Sequence, residues 1–180
     1  MKTRSNILEG TFEELLAVTG ESLKSLGFVR RGPVFRLLAH GNCGLIEFQR
    51  SDKSSDEKLV FTVNLGVVCG ALLDTGSAGV QKARIIDAHL RQRIGMLLPD
   101  RPDKWWDVTA STDRVSLVQE IVDLLVKKGA PYVEGQLTTK ALMALWESGQ
   151  SPGLTAFQRT RFLSKLKEAH GRQRPEDVRS

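Results

Sequence analysis

His89, Arg91 and Arg93 occupy alternate positions in the run H-L-R-Q-R-I-G. On a strand, alternate side chains leave the same face, so these three would form one row. Two guanidinium forks beside an imidazole could hold a phosphate or carboxylate, because the planar fork matches an oxyanion at two points. The same row could be a solvated strand face, or one paired with acids such as Glu47 and Asp107. Trp105 and Trp106 form the second candidate. On a strand one ring would enter the core and the other would face outward, where an indole serves as a recognition anchor. Alternatively both rings pack, one under the sheet and one against a helix.

Glu47, Gln49 and Asn64 are a third group. As polar residues on neighbouring strands they could line a shallow cleft, or simply satisfy backbone groups at strand ends. The fourth candidate is a C-terminal helix bearing Arg159, Arg161, Lys165 and Lys167 together with Phe157 and Phe162. It could bind nucleic acid, an acidic partner or anionic lipid. It could also dock its apolar stripe on the body and leave its cations in water.

Other chemistry is poorly supplied. Cys43 and Cys69 sit in no CxxC pair, and two thiols do not complete a tetrahedral metal site. They read as free, small buried hydrophobes. The three histidines have no HxxxH spacing, so zinc is not expected. The glycines of C-G-A-L-L-D-T-G-S-A-G-V follow neither a P-loop nor a dinucleotide-binding pattern. No spacing argues for a Ser-His-Asp, Cys-His or paired-carboxylate site. No cofactor is expected.

The net charge of +5 is unevenly placed. From Thr155 onward seven cations oppose three acids, so residues 1–154 carry a surplus of only one. The body therefore lacks a basic footprint for nucleic acid. No apolar run approaches the roughly 20 residues of a membrane helix. The start of the chain has no apolar signal core, since Gly10, Glu13 and Glu14 interrupt it. A cytoplasmic protein is the expectation.

The elements that must position these residues begin with a helix over residues 11–26. Thr11 and Glu14 have capping-box spacing, Phe12, Leu15, Leu16, Leu23 and Leu26 form an apolar stripe, and Gly27 is the stop. Residues 1–10 read as a loose lead-in. Then come strands over 28–38, interrupted at Gly32-Pro33 by a bulge or edge position, over 45–51 and over 58–68. Residues 40–44 form the first turn. Residues 69–80 read as irregular, 82–87 as a short helical turn, and a strand starts near His89. Another strand starts at Trp105. A strongly apolar helix follows, capped by Ser111 or Thr112 and ended by Gly129, with Pro131 confirming the stop. A helix over 138–146, a hinge at 149–153 and the basic helix over 155–169 complete the order.

The landmarks L-K-S-L-G-F (23–28), F-Q (48–49), V-N-L-G (63–66), R-I (93–94) and W-W (105–106) come in an order that resembles a bacterial family, domain-of-unknown-function family 4304. The resemblance spans roughly residues 10–145. It implies a fold; since that family carries no assigned activity, it transfers no catalytic residue.

The sequence thus predicts an α+β fold: an antiparallel meander of four or five strands, helices on one face, the other face bare, and a C-terminal helical extension. It divides into a body over 1–149, the basic amphipathic helix over 150–170 and a disordered tail over 171–180. A non-enzymatic binding module using the open sheet face is the favoured function, with a protein partner and no membrane. His89, Arg91, Arg93, Trp105, Trp106, Gln49 and Asn64 are its candidate residues. Nucleic-acid binding through the last helix is one alternative. A small hydrolase or transferase built on His89 and an arginine clamp is the other.

Overall fold

The computed structural model describes residues 4–74 and 76–172. Helix α1 runs from Arg4 to Lys24 and buries Leu8, Phe12, Leu15, Leu16 and Leu23. These positions recur at the spacing of one helix face. The helix starts before Thr11, so the expected capping box is not formed. Thr11 lies buried inside the helix, where its hydroxyl donates to the Ile7 carbonyl at 2.9 Å. Gly27, with φ of 84°, closes the helix as expected and turns the chain into the sheet.

The sheet has six antiparallel strands: β1 (Val29–Arg31), β2 (Val34–Ala39), β3 (Asn42–Arg50), β4 (Lys58–Cys69), β5 (Leu90–Arg93) and β6 (Trp106–Thr109). The spatial order is β1-β2-β3-β4-β5, with β6 pairing beside β5 on the same edge of β4. Gly32-Pro33 is a hairpin turn between two strands, not a bulge within one. The next turn is only His40-Gly41, with φ of 54° and 72°. Two positive φ values give a tight turn whose twist suits an antiparallel hairpin. Asn42 therefore starts β3. Its buried amide donates to the Leu137 carbonyl at 2.7 Å and accepts from the Gly70 N–H at 3.0 Å.

All helices of substance lie on one side of the sheet. That face carries Phe35, Ile46, Phe48, Phe61, Val63, Leu65 and Trp106 in one apolar cluster with α1, α2 (Arg114–Leu124), α3 (Ala130–Gly135), α4 (Thr139–Glu147) and α5 (Ala156–Arg172). Phe12, Phe48, Phe61 and Trp106 form a continuous chain of ring contacts with centroids 5.3 to 6.2 Å apart. Aromatic pairs at such distances add to the burial of their area.

Three further helix boundaries differ from expectation. Asp113 caps α2, accepting from the N–H groups of Val115 and Ser116. Thr112 is instead occupied by the Thr109 N–H. Gly129 does not end the helix, because a wide turn over Leu125–Gly129 passes directly into α3. Glycine is there for closeness: a Cβ would lie 2.9 Å from the Leu125 side chain and 3.0 Å from that of Ile94. Helix α5 reaches Arg172, past the expected end, and the rest of the tail lies outside the described residues. Among the described residues no helix is long and apolar enough to cross a membrane.

The opposite face is not bare throughout. Cys43, Leu45 and Val68 are covered there by Val80 and Ala83, with Ile85 and Ala88 alongside. This cover consists of short 3₁₀ turns over Gly76–Lys82 and Ile85–Asp87. Gly66 is what admits it, since a Cβ would meet Ile85 at 2.7 Å and Ala88 at 3.0 Å. Half of the face is thus closed by these turns; beyond Gly66 a cleft opens over the largely buried Asn64, and Thr62 is covered by the Lys104 carbonyl, to which its hydroxyl donates at 2.7 Å.

Candidate functional site

The open half is built by register. Glu47 of β3 stands opposite Asn64 of β4, which stands opposite Arg93 of β5; Gln49 lies opposite Thr62, and Arg91 opposite Gly66. Paired residues share a face. Glu47, Gln49, Asn64, Arg91 and Arg93 therefore converge, and with Ile85, Ile86 and Gln92 they line a cleft of about 510 Å³. Two candidate groups read separately in the sequence, the arginines and the meander amides, form one site.

Its interior is ordered by hydrogen bonds. The Asn64 amide donates to Gln49 Oε1 at 2.8 Å. Burial pushes the Glu47 carboxyl above its ordinary pKa, opposed by the nearby charges of Arg36 and Arg91 and by a backbone hydrogen bond at Ile85. Arg91 has no ion pair within 4 Å among the described residues.

Arg93 is held differently. It pairs with Asp103 at 2.5 Å, not with Glu47 or Asp107, and its guanidinium lies over the Trp105 ring, 4.8 Å from the centroid. The Trp105 indole N–H donates to the same Asp103 at 3.2 Å. These bonds, that from Arg93 foremost, hold the Asp103 carboxyl below the usual carboxylate range. Arg93, Asp103 and Trp105 also border a second hollow of about 510 Å³, with Ser51, Lys53, Lys58, Val60 and Asp107. Lys58 pairs with Asp107 at 3.3 Å.

The two tryptophans part to opposite sides, although Trp105 stands one residue before β6. Trp105 lies on the open face. Trp106 is in the core, 5.5 Å from the Phe61 ring and nearly parallel to it, with its indole N–H donating to Glu120 at 3.0 Å. Trp106 is therefore no part of the cleft.

His89 does not join the arginine row. The strand begins one residue later, and the imidazole is buried at the end of β4, against α5. Its Nδ1 accepts the Cys69 backbone N–H at 3.0 Å, and its ring meets Phe162 of α5 edge-on at 5.1 Å. Burial pulls its pKa down to about 4. The imidazole and the arginine clamp thus occupy different places, and the hydrolase arrangement expected from their spacing is not assembled.

Helix α5 docks on the body. Leu166 is fully buried, and Phe162 and Leu163 pack against the core. Arg159 donates to the Leu154 carbonyl at 2.9 Å, and Lys167 pairs with Glu147 at 3.0 Å. Arg161 and Lys165 remain exposed, Lys165 close enough to His89 to act on its titration. Among the described residues no three His, Cys, Asp or Glu side chains are grouped to hold a metal ion.

The sequence reading missed Asp103, Ile85 and Ile86. Asp103 lies in the loop L-P-D-R-P-D, which folds back across Gly95; a Cβ there would collide with the Pro102 carbonyl oxygen. The glycine two positions after Arg93 was the available signal of that return.

A family model matches residues 19–135, a shorter stretch than the resemblance suggested. It holds all six strands and both hollows, and excludes much of α1 and all of α4 and α5. No curated protein and no solved structure matches the chain. The chain belongs to the matched family, described as Domain of unknown function (DUF4304).

Proposed function

We propose that this protein is a non-enzymatic interaction module that receives a protein partner on the open half of its sheet. The observation that carries this reading is the convergence of Gln49, Asn64, Arg91 and Arg93 around one cleft on three paired strands. A hydrogen-bonded sheet fixes such side chains more firmly than a loop does. The cleft holds no histidine or thiol, so it offers recognition groups without a nucleophile or neutral-range base. Two free, buried cysteines agree with a reducing, cytoplasmic setting.

The test is capture from native cell extract on immobilised chain. Proteins retained by the wild type should be lost with an Arg91→Ala/Arg93→Ala double variant and kept with Arg161→Glu on α5. Loss on Arg161→Glu alone moves the interaction to the helix. Retention unaffected by the double variant overturns the reading.

A further inference from the structure

The chemistry of the two hollows says what kind of partner segment suits them. Resting on the reading above, we infer that they receive an extended acidic segment of the partner, with carboxylates against Arg91, Arg93 and Lys53 and an aliphatic side chain against Ile86.

Charge is the first argument. Of the acids lining the two hollows, Asp103 pairs with Arg93 and Asp107 with Lys58, and the partly buried Glu47 has no ion pair within 4 Å among the described residues. Lys53 has no ion pair among the described residues. Lys53, Lys58, Arg91 and Arg93 thus line the hollows against Glu47, Asp103 and Asp107, four cations to three acids, so the face keeps a positive surplus of one. Surplus guanidinium charge on a partly desolvated floor selects carboxylates in forked geometry.

Shape is the second. The hollows adjoin at Arg93, which borders both. Each offers an apolar contact: Ile86, 67% exposed, in the first and the Trp105 ring in the second. Together they are two hollows that meet at one arginine. A small ligand is ordinarily enclosed over most of its surface in one pocket, whereas two adjoining hollows suit a longer occupant. An extended segment repeats its side chains on one face roughly every 7 Å, which suits alternating basic and apolar stations.

The carboxylates decide against nucleic acid. A nucleic-acid strand carries a charge at every step and cannot keep all its phosphates clear of Glu47, Asp103 and Asp107 along the same floor. A peptide can place acids and neutral residues separately.

The experiment uses the full chain and three fluorescein-labelled probes: a terminally blocked alternating Glu/Leu peptide, the same peptide with Lys for Glu, and a single-stranded oligothymidine. Anisotropy is read at low and physiological salt. The Glu/Leu peptide should bind, more weakly as salt rises, and the Lys/Leu peptide should not. Arg91→Glu should weaken binding by about tenfold or more, and Arg161→Glu should leave it unchanged. Ile86→Asp, at an exposed position, gives a second lesion should Arg91→Glu unfold the chain. Equal binding of both peptides, indifference to both lesions, or tighter binding of oligothymidine to the same face overturns the inference. If the Glu/Leu peptide fails while capture from extract still depends on Arg91 and Arg93, the acidic-segment inference alone falls. If capture ignores those arginines, the binding-face reading falls with it.

Discussion

The two faces of this sheet are made from the same strands and behave oppositely. On the helix-covered face, Phe35, Phe48, Phe61, Val63 and Leu65 are sealed from water with the helices. On the other, Cys43, Leu45 and Val68 are covered by short 3₁₀ turns, and past Gly66 those turns give way to a cleft over Asn64 and then to the Lys104 carbonyl above Thr62. Alternation along β4 puts Phe61, Val63 and Leu65 on one side and Thr62 and Asn64 on the other. The contrast teaches that strand parity separates the residues that build the core from the polar residues of the opposite face. It also places the boundary of the open cleft at a single residue without a side chain.

Substitutions at the two faces should differ most sharply at their centres. Phe61→Ala removes a fully buried ring that contacts Phe12, Phe48 and Trp106. A loss of about 3–5 kcal/mol in denaturant unfolding is expected. Ile86→Asp on the open face should change stability by less than about 0.5 kcal/mol. A similar loss at both positions would break the contrast.

The next effect is pH-dependent and belongs to the sealed side. His89 titrates near 4 in the folded chain and near 6.5 when unfolded. Burial is the main cause, Lys165 acts in the same direction, and Asp87 opposes them. Between those values the unfolded chain binds a proton that the folded chain refuses. The contribution is therefore intact above about pH 6.5 and is lost progressively as pH falls toward 4. The span corresponds to about 3 kcal/mol. His89→Gln, which keeps an acceptor for the Cys69 N–H, should flatten that stretch of the stability profile. An unchanged slope would mean that the imidazole is not buried as described.

Much of this was legible in the residues, for identifiable reasons. The meander, its strand faces and the divergence of Trp105 from Trp106 follow from period-two alternation, which local sequence displays directly. The gathering of Gln49 and Asn64 with Arg91 and Arg93 was not legible, because register between strands distant in sequence is set by the whole sheet. His89 was misplaced because alternation was extended one residue beyond the strand. Thr11 and Gly129 were read as helix ends on residue type, yet the surrounding apolar positions continue both helices, and tertiary packing overrides a local stop signal. The cover on the second face was missed because its 3₁₀ turns carry little periodicity; only Gly66 marks where they press.

Gly66 sharpens the division between closed and open halves. Gly66→Ala would place a methyl 2.7 Å from Ile85 Cδ1 and 3.3 Å from the Leu90 carbonyl oxygen. The side chain can yield, while the carbonyl belongs to the sheet. Overpacking of this kind costs about 1–3 kcal/mol. Displacement of residues 85–88 should also speed hydrogen exchange at the Ala88 amide, which donates to the Ile85 carbonyl. Since Ile85 and Ile86 form one wall of the cleft, binding of the Glu/Leu peptide should weaken as well. Exchange rates matching the wild type would show that the cover does not depend on the glycine.

The smallest expected change lies where the two hollows meet. Asp103→Asn removes an exposed charge that pairs with Arg93 and accepts from the Trp105 indole. Exposed pairs of this kind contribute little to folding, so the loss should be no more than about 0.5 kcal/mol. Binding should move the other way. With the carboxylate gone, Arg93 keeps its position over the Trp105 ring but loses its resident anion. An incoming carboxylate then has no internal competitor, and the Glu/Leu peptide should bind more tightly than to the wild type. A weaker complex would mean that Asp103 serves by holding Arg93 in place. The same variant thus separates two roles for one ion pair, competitor or positioning residue, by the direction in which affinity moves while stability stays nearly constant.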